Sequence, residues 1–357
     1  MKKGLFAATV ACVILSGCVS IEKTINDSMK ILTNAFSTPQ IPISELKPAR
    51  ESSAKKMKRI AVIHDQRRPT GGSILETNLT NIKLNNSPYF TLVERSRIDA
   101  IIKEQKLNDG ILTNSATRIK LGKLTGADTL INAGYSTTVD SSRYSEKRSE
   151  CTEKDSNFLK CKKTRNYTVS CTKKTAVVIL EPKAVSVESG QIIFSNHYSE
   201  IAESKVCNDS NDAQPTDEEL VGRALARVTH ELKIDLAPFI LTTDVDLMDD
   251  DNSDMPDDAE KMFDMGIEFT QEGMYKNACQ MFAKAQTKYS SSIAITYNNA
   301  VCAEFLADVE MADAFYSKAT TMTDEIDELK LVMEGETRIK QRLIDTEVLN
   351  KIITERL

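Results

Sequence analysis

The sequence predicts an α+β protein in two parts, a sheet-and-helix domain followed by an all-helical repeat domain. Three observations lead there. Residues 57–240 alternate short β-branched apolar runs with amphipathic stretches of helical period. Residues 259–326 repeat small and aromatic residues at a spacing of 34. Charge divides at nearly the same place. Residues 241–357 hold 25 Asp and Glu against 11 Lys and Arg, and residues 1–240 hold 27 against 35. The balances, −14 and +8, argue for two units with different surfaces.

The first residues set the compartment. Lys2 and Lys3 precede an apolar run over residues 4–15, the length of a signal-peptide core and too short to span a bilayer. The run ends in Leu15-Ser16-Gly17-Cys18, which resembles the bacterial lipobox. That resemblance implies removal of residues 1–17 and acylation of Cys18, whose several acyl chains would hold the protein on a membrane. Val19, in place of the Asp that retains lipoproteins in the inner membrane, implies the periplasmic face of the outer membrane. ATP and the chromosome are then out of reach, and disulfides are permitted.

Residues 18–56 read as a membrane tether. Ile21, Ile25, Met29, Leu32 and Phe36 sit at helical spacing, on a face that could meet either lipid or protein. Pro39, Pro42 and Pro48 favour extended chain after it. In the domain at 57–240, "RIAVIHD", "YFTLVE" and "ADTLINAGYSTTV" read as strands. "GGSILETNLTNIKLNN", "RSRIDAIIKEQKL", "ATRIKLGKLTG" and "DEELVGRALARVTHELKIDLA" read as helices, the first stopping before Pro88 and the last at Pro238. Gly122 suits close helix packing and Gly126 a helix stop. Glu94-Arg95 at a strand end reads as an ion pair holding the next helix or as a subunit contact.

Four cysteines remain in the middle of the chain, and four allow three pairings. Cys171 and Cys207 each lie 18 residues from Ser189, so a regular hairpin would bring them face to face. "CTEKDSNFLKC" is symmetric about Ser156, with turn residues at its tip. The expected bridges are Cys151–Cys161 and Cys171–Cys207. No Cys-x-x-Cys occurs, so no metal site is expected. The insertion at 141–174 carries ten Lys and Arg against four Asp and Glu. It reads as a solvated, disulfide-held hairpin or as a docking site for an acidic partner.

Residues 241–258 read as an acidic linker. Asp249, Asp251, Ser253, Asp257 and Glu260 fall at calcium-loop spacing, but Asp254 stands where the loop needs Gly and Pro256 intrudes. In the helical domain at 259–357, Gly266, Phe269, Ala278, Phe282 and Ala285 recur as Ala300, Ala303, Ala312, Tyr316 and Ala319. The pattern resembles tetratricopeptide repeats, with a capping segment after residue 324, and implies peptide binding or assembly. Cys279 and Cys302 fall on successive helices, compatible with a third bridge or with two thiols.

A second resemblance covers residues 57–240. Val93-Glu94-Arg95, Ile98-Asp99, Glu104-Gln105 and the run from Leu121 to Asp128 are similar to the core of the curli-secretion lipoprotein (CsgG-like) family. His64-Asp65 stands where Pro-Phe is usual. The resemblance implies a non-enzymatic envelope lipoprotein with protein partners, either an assembly factor for an envelope or surface structure or a subunit of an outer-membrane secretion channel. Homo-oligomers are compatible with it.

The residues agree with a protein that is not an enzyme. Gly-x-Ser-x-Gly, phosphate loops, His-Glu-x-x-His and dinucleotide fingerprints do not occur. His64, His197 and His230 are far apart, and no nucleophile neighbours His64-Asp65. No catalytic residue, cofactor, metal or nucleic-acid partner is therefore expected. With no Trp and only 6% aromatics, the chain does not look like a sugar-stacking module. A channel would need strands of about ten residues with alternating apolar side chains, and 141–174 is dominated by charge while Pro182 enters the next strand. A flexible linker would leave the repeats free as the partner-binding end, with the first domain's core independent of them.

Overall fold

The computed structural model describes residues 38–64, 69–105, 114–154, 161–250 and 253–356. The signal peptide, Cys18, the helix expected at 21–36 and Asp65 lie outside the described residues. The chain divides into a sheet body, Leu46–Leu241 with Ile344–Leu357, and a helical body, Met1–Glu45 with Thr242–Leu343.

The elements run β1 (Gln40–Lys47), β2 (Arg59–Val62), α1 (Thr70–Thr80), β3 (Lys83–Leu84), β4 (Ser87–Pro88) and β5 (Thr91–Leu92). Next come α2 (Arg95–Glu104), α3 (Ser115–Thr125), β6 (Thr129–Lys154), β7 (Cys161–Ser186), β8 (Ile192–Ser195) and β9 (Tyr198–Cys207). Then follow α4 (Asp217–Leu236), β10 (Phe239–Asp246), α5 (Asp257–Gln271), α6 (Tyr275–Lys288), α7 (Ile293–Phe305), α8 (Val309–Thr320) and α9 (Ile326–Arg356).

In the sheet body the strand order is β5-β2-β6-β7-β8, with β9 also on β7. β2 is parallel to β5 and β6, and the remaining pairs are antiparallel. The period of two sorts the side chains. Ile60, Val62 and Ile131 join Leu75 and Leu79 of α1 and Leu220, Val228 and Leu232 of α4 in one core. Ala61 and Leu130 face the other way, onto Ile98 of α2 and Leu121 of α3. Thr216 and Glu219 cap α4 reciprocally. Asp128 accepts the backbone N–H groups of Lys58 and Arg59 at 3.2 and 2.8 Å, tying the start of β6 to β2. Gly122 lies so close to Val187 that a Cβ would sit 2.2 Å from its Cγ1. Gly126 ends α3 at φ 71°.

Two expectations change here. The first helix stops at Thr80, and Lys83–Pro88 folds into a tight hairpin. Asn85 and Asn86 turn it at φ 50° and 63°, a region Asn tolerates. The core also depends on the end of the chain. Ile352 is buried in it. Arg356 donates to the carbonyls of Met57 and Tyr89 at 2.9 and 2.7 Å, and lies 3.7 Å over the Tyr89 ring. The helical domain expected to run to residue 357 thus yields its last fourteen residues to the sheet body.

In the helical body α5/α6 and α7/α8 are two hairpins offset by 34 residues. Their turns match: Met274 N–H donates to Phe269 O, and Asp308 N–H to Ala303 O. Gly273 and Ala307 take φ 72° and 63° at equivalent positions. Gly266 makes room for the ring of Phe282, and Gly335 for that of Tyr316. Much of the tether and linker is structured. Ile41, Ile43, Val245, Leu247 and Met248 are buried in this body's core. Asn298 holds Met248 at both backbone atoms, accepting from its N–H at 3.0 Å and donating to its carbonyl at 2.8 Å. The reason is that Ile, Val, Leu and Met punctuate otherwise polar segments and find an apolar groove.

Candidate interaction surfaces

The longest feature is the β6–β7 hairpin, with strands of 26 residues each. Its base packs under α4. Lys174 pairs with Asp217, the first residue of α4, at 2.7 Å. Beyond that point no helix among the described residues covers the hairpin, and its two faces diverge in chemistry.

One face of the outer ribbon carries every described acid of the segment, each with a cation. Glu146 meets Lys205 and Arg148. Arg148 grips both oxygens of Asp209 at 3.0 and 2.9 Å. Glu150 pairs with Arg165 at 2.6 Å. Hydrogen bonding from Lys205 holds the Glu146 carboxyl below its usual range, and the bond to Asp209 raises the Tyr167 hydroxyl. Val169, Cys171 and Cys207 form a small buried cluster there with Tyr144 and Tyr167.

The opposite face carries no acid between 143 and 149. Arg143 stands opposite Thr172, Ser145 opposite Ser170, Lys147 opposite Thr168 and Ser149 opposite Asn166. All are exposed except half-buried Thr172. Arg143 and Lys147 make no ion pair or hydrogen bond among the described residues.

The predicted bridges are in place. Cys171 and Cys207 are directly opposed and bonded, with Cα atoms 3.9 Å apart. Cys151 and Cys161 are bonded near the ribbon tip, whose turn residues 155–157 lie outside the described residues. Cys279 and Cys302 are bonded across α6 and α7. The cluster of Glu146, Cys171 and Cys207 has ligand-like spacing, but its two sulfurs are bonded to each other. Pro182 faces the break between β8 and β9, where its carbonyl accepts from Asn196 and no N–H is needed.

The histidines lie apart in the fold. His64 is 3.2 Å from Glu76, and His197 is 3.0 Å from Glu181. A cavity of about 570 Å³ beside α1 is lined by Glu76, Thr77, Thr80, Asn81, Leu92, Val93 and Glu94. It brings together the carboxylates of Glu76 and Glu94 and the hydroxyls of Thr77 and Thr80, with no histidine among its lining residues. Glu94 accepts from Ser96 at 2.8 Å, and the Arg95 side chain lies outside the description.

The sequence reading missed a buried polar network in the helical body. Glu304 is 2% exposed, accepts from Arg338 Nε at 3.1 Å through one oxygen, and leaves Oε1 without a hydrogen bond among the described residues. Arg338 also donates to the Tyr316 hydroxyl at 3.0 Å. Burial raises the Glu304 carboxyl and both the Tyr297 and Tyr316 hydroxyls. The signal for it, Glu304 within an apolar run, was present in the sequence. The outer surface of α5 is predominantly acidic, with Asp257, Glu260, Asp264 and Glu268 exposed around a single exposed cation, Lys261.

Among the described residues no helix is long and apolar enough to cross a membrane. No curated protein matches the chain. Among solved structures it is similar to the C-terminal domain of LpoB from Salmonella enterica, at 13% identity and a TM-score of 0.23, covering 40% of this chain and 82% of that one. Residues 72–210 of the sheet body, from α1 to just beyond β9, match the family described as Curli production assembly/transport component CsgG.

Proposed function

We propose that the protein is a lipid-anchored envelope factor that works by binding other proteins, without catalysis, on the periplasmic face of the outer membrane. The observation that carries this is the CsgG-family match over residues 72–210, a family described by production assembly and transport. The lipobox at Leu15–Cys18 supports the anchor. The 34-residue helical repeat supports a tetratricopeptide-like assembly role, with a qualification from the fold. Ile41, Ile43, Val245, Leu247 and Met248 of the chain itself pack into the core of these helices, and the reading places partners on outer surfaces.

A secretion-channel subunit is the second reading, favoured by the length of the β6–β7 hairpin. A lipid-facing strand needs apolar residues at every second position, and a Lys or Arg at the midplane costs roughly 2–4 kcal/mol. Neither face of the outer ribbon meets that need. The purified chain in planar bilayers should show no stable conductance. Photo-crosslinkers at Ser149 and Asn166 in the native envelope should give adducts of discrete mass. Unit-step conductance, or crosslinkers that capture nothing, would overturn the reading.

A further inference from the structure

Each body carries exposed charge that makes no ion pair among the described residues. On the ribbon, acids and bases of one face neutralise each other, and on the other face Arg143 and Lys147 make no ion pair among the described residues and stand among exposed hydroxyls and an amide. On α5 acids are in excess, with the exposed Lys261 as the helix's single cation. Asp257, Glu260, Asp264 and Glu268 are exposed and make no ion pair among the described residues. Asp258, their neighbour, is neutralised by Lys288.

We propose that this hydroxyl-and-cation face of the ribbon docks the acidic face of α5 from a second copy of the chain, giving a head-to-tail contact. The spacing fits. Arg143 and Lys147 are four residues apart on one strand, about 13 Å at the extended rise. Glu260 and Glu268 are eight residues apart on one helix, about 12 Å at the helical rise. Asp264 falls midway, where Ser145, Thr168 and Ser170 offer hydroxyl donors in the same register. The ribbon's register is regular over this stretch, since the shifts begin only at Cys151. A helix can therefore lie along it. Because the two patches differ, the contact is heterologous and can propagate from copy to copy, as assembly on a surface requires. Exposed charges at this separation are weakened strongly by salt. Anchoring on a membrane would raise the local concentration and offset a weak contact.

The inference rests on the interaction-module reading and names its partner as self. The test uses the full-length chain in detergent, with unlabelled and ¹⁵N-labelled protein mixed and treated with a zero-length carbodiimide. That reagent joins a lysine amine to a carboxylate only at contact. Peptides linking Lys147 to Glu260, Asp264 or Glu268, half of them of mixed isotope, are expected at low salt and should fall at least fivefold at 0.5 M salt. Arg143→Glu keeps Lys147 available and should lower the yield about fivefold. Adding Glu260→Lys to that variant should restore it. Crosslinks of a single isotope composition only, or a yield indifferent to Arg143→Glu, would overturn the proposal. That failure removes the second copy as partner and leaves the interaction reading standing, whereas channel conductance would remove the reading itself.

Discussion

The base and the outer half of the β6–β7 hairpin are one continuous ladder held in two different ways. At the base, Ala176, Val178, Leu180 and Ala184 are buried against α4 and its neighbours. Toward the tip Val169 is the last buried apolar residue among the described residues, and the ribbon carries two bridges and a set of exposed ion pairs. Burial sets the register where a core exists, because a slip of one residue would turn every side chain outward. The outer ribbon inherits that register, and covalent bonds preserve it. The contrast lets the ribbon display polar chemistry on both faces without having to stabilise the fold.

The largest expected effect lies beneath the base. Deleting Ile344–Leu357 removes Ile352 from the core and Arg356 from the carbonyls of Met57 and Tyr89. The sheet body should lose its cooperative thermal transition, read by near-ultraviolet circular dichroism. A truncated chain melting like the parent would show the base to be self-sufficient. Next comes Leu180→Ala, a fully buried position, which should cost about 2–5 kcal/mol in denaturant unfolding. A cost under 1 kcal/mol would erase the distinction between base and ribbon.

The bridge at the junction should have an intermediate effect. Cys171 and Cys207 are 36 residues apart in sequence, and opening that loop in a Cys171→Ser/Cys207→Ser variant should cost about 2–4 kcal/mol. Hydrogen exchange should quicken over residues 143–170 while 176–184 stay protected. Equal protection of both stretches would mean that the bridge does not hold the ribbon.

The sequence showed some of this directly. Cys171 and Cys207 mirror each other about Ser189, and every described β7–β9 pair does the same, from Cys171↔Cys207 to Leu180↔Tyr198. Mirror symmetry in sequence became register because the ladder is regular there. The Cys151–Cys161 symmetry about Ser156 found the right bridge by a wrong register. Cys151 stands opposite Thr164, and irregular pairing at Glu153 and Lys154 brings the sulfurs together. The repeat was legible because Gly266 and Phe282 meet each other. What could not be read was the reach of distant segments. Ile41, Ile43 and Ile352 lie in short apolar patterns that do not say which core they will fill. The apolar run around Glu304 signals its burial, but its partner Arg338, 34 positions away on another helix, could not be read.

The smallest expected effect concerns the ion pairs of the outer ribbon. Glu150 and Arg165 approach to 2.6 Å, but their side chains are 44% and 66% exposed. Water screens the attraction, and two long side chains must be ordered to make the contact. Such pairs contribute about 0.2–1 kcal/mol, less as salt rises. A double-mutant cycle of Glu150→Gln and Arg165→Gln, followed by unfolding at low and high ionic strength, isolates the coupling from each residue's other roles. The expected coupling lies inside that range at low salt and fades toward zero at 0.5 M. Changes at the base, by contrast, should be indifferent to salt, because apolar burial carries no charge to screen. A coupling above 2 kcal/mol that survives salt would mean that the charged face carries the ribbon's stability itself. The division between a base that folds and a ribbon that displays would then have to be redrawn.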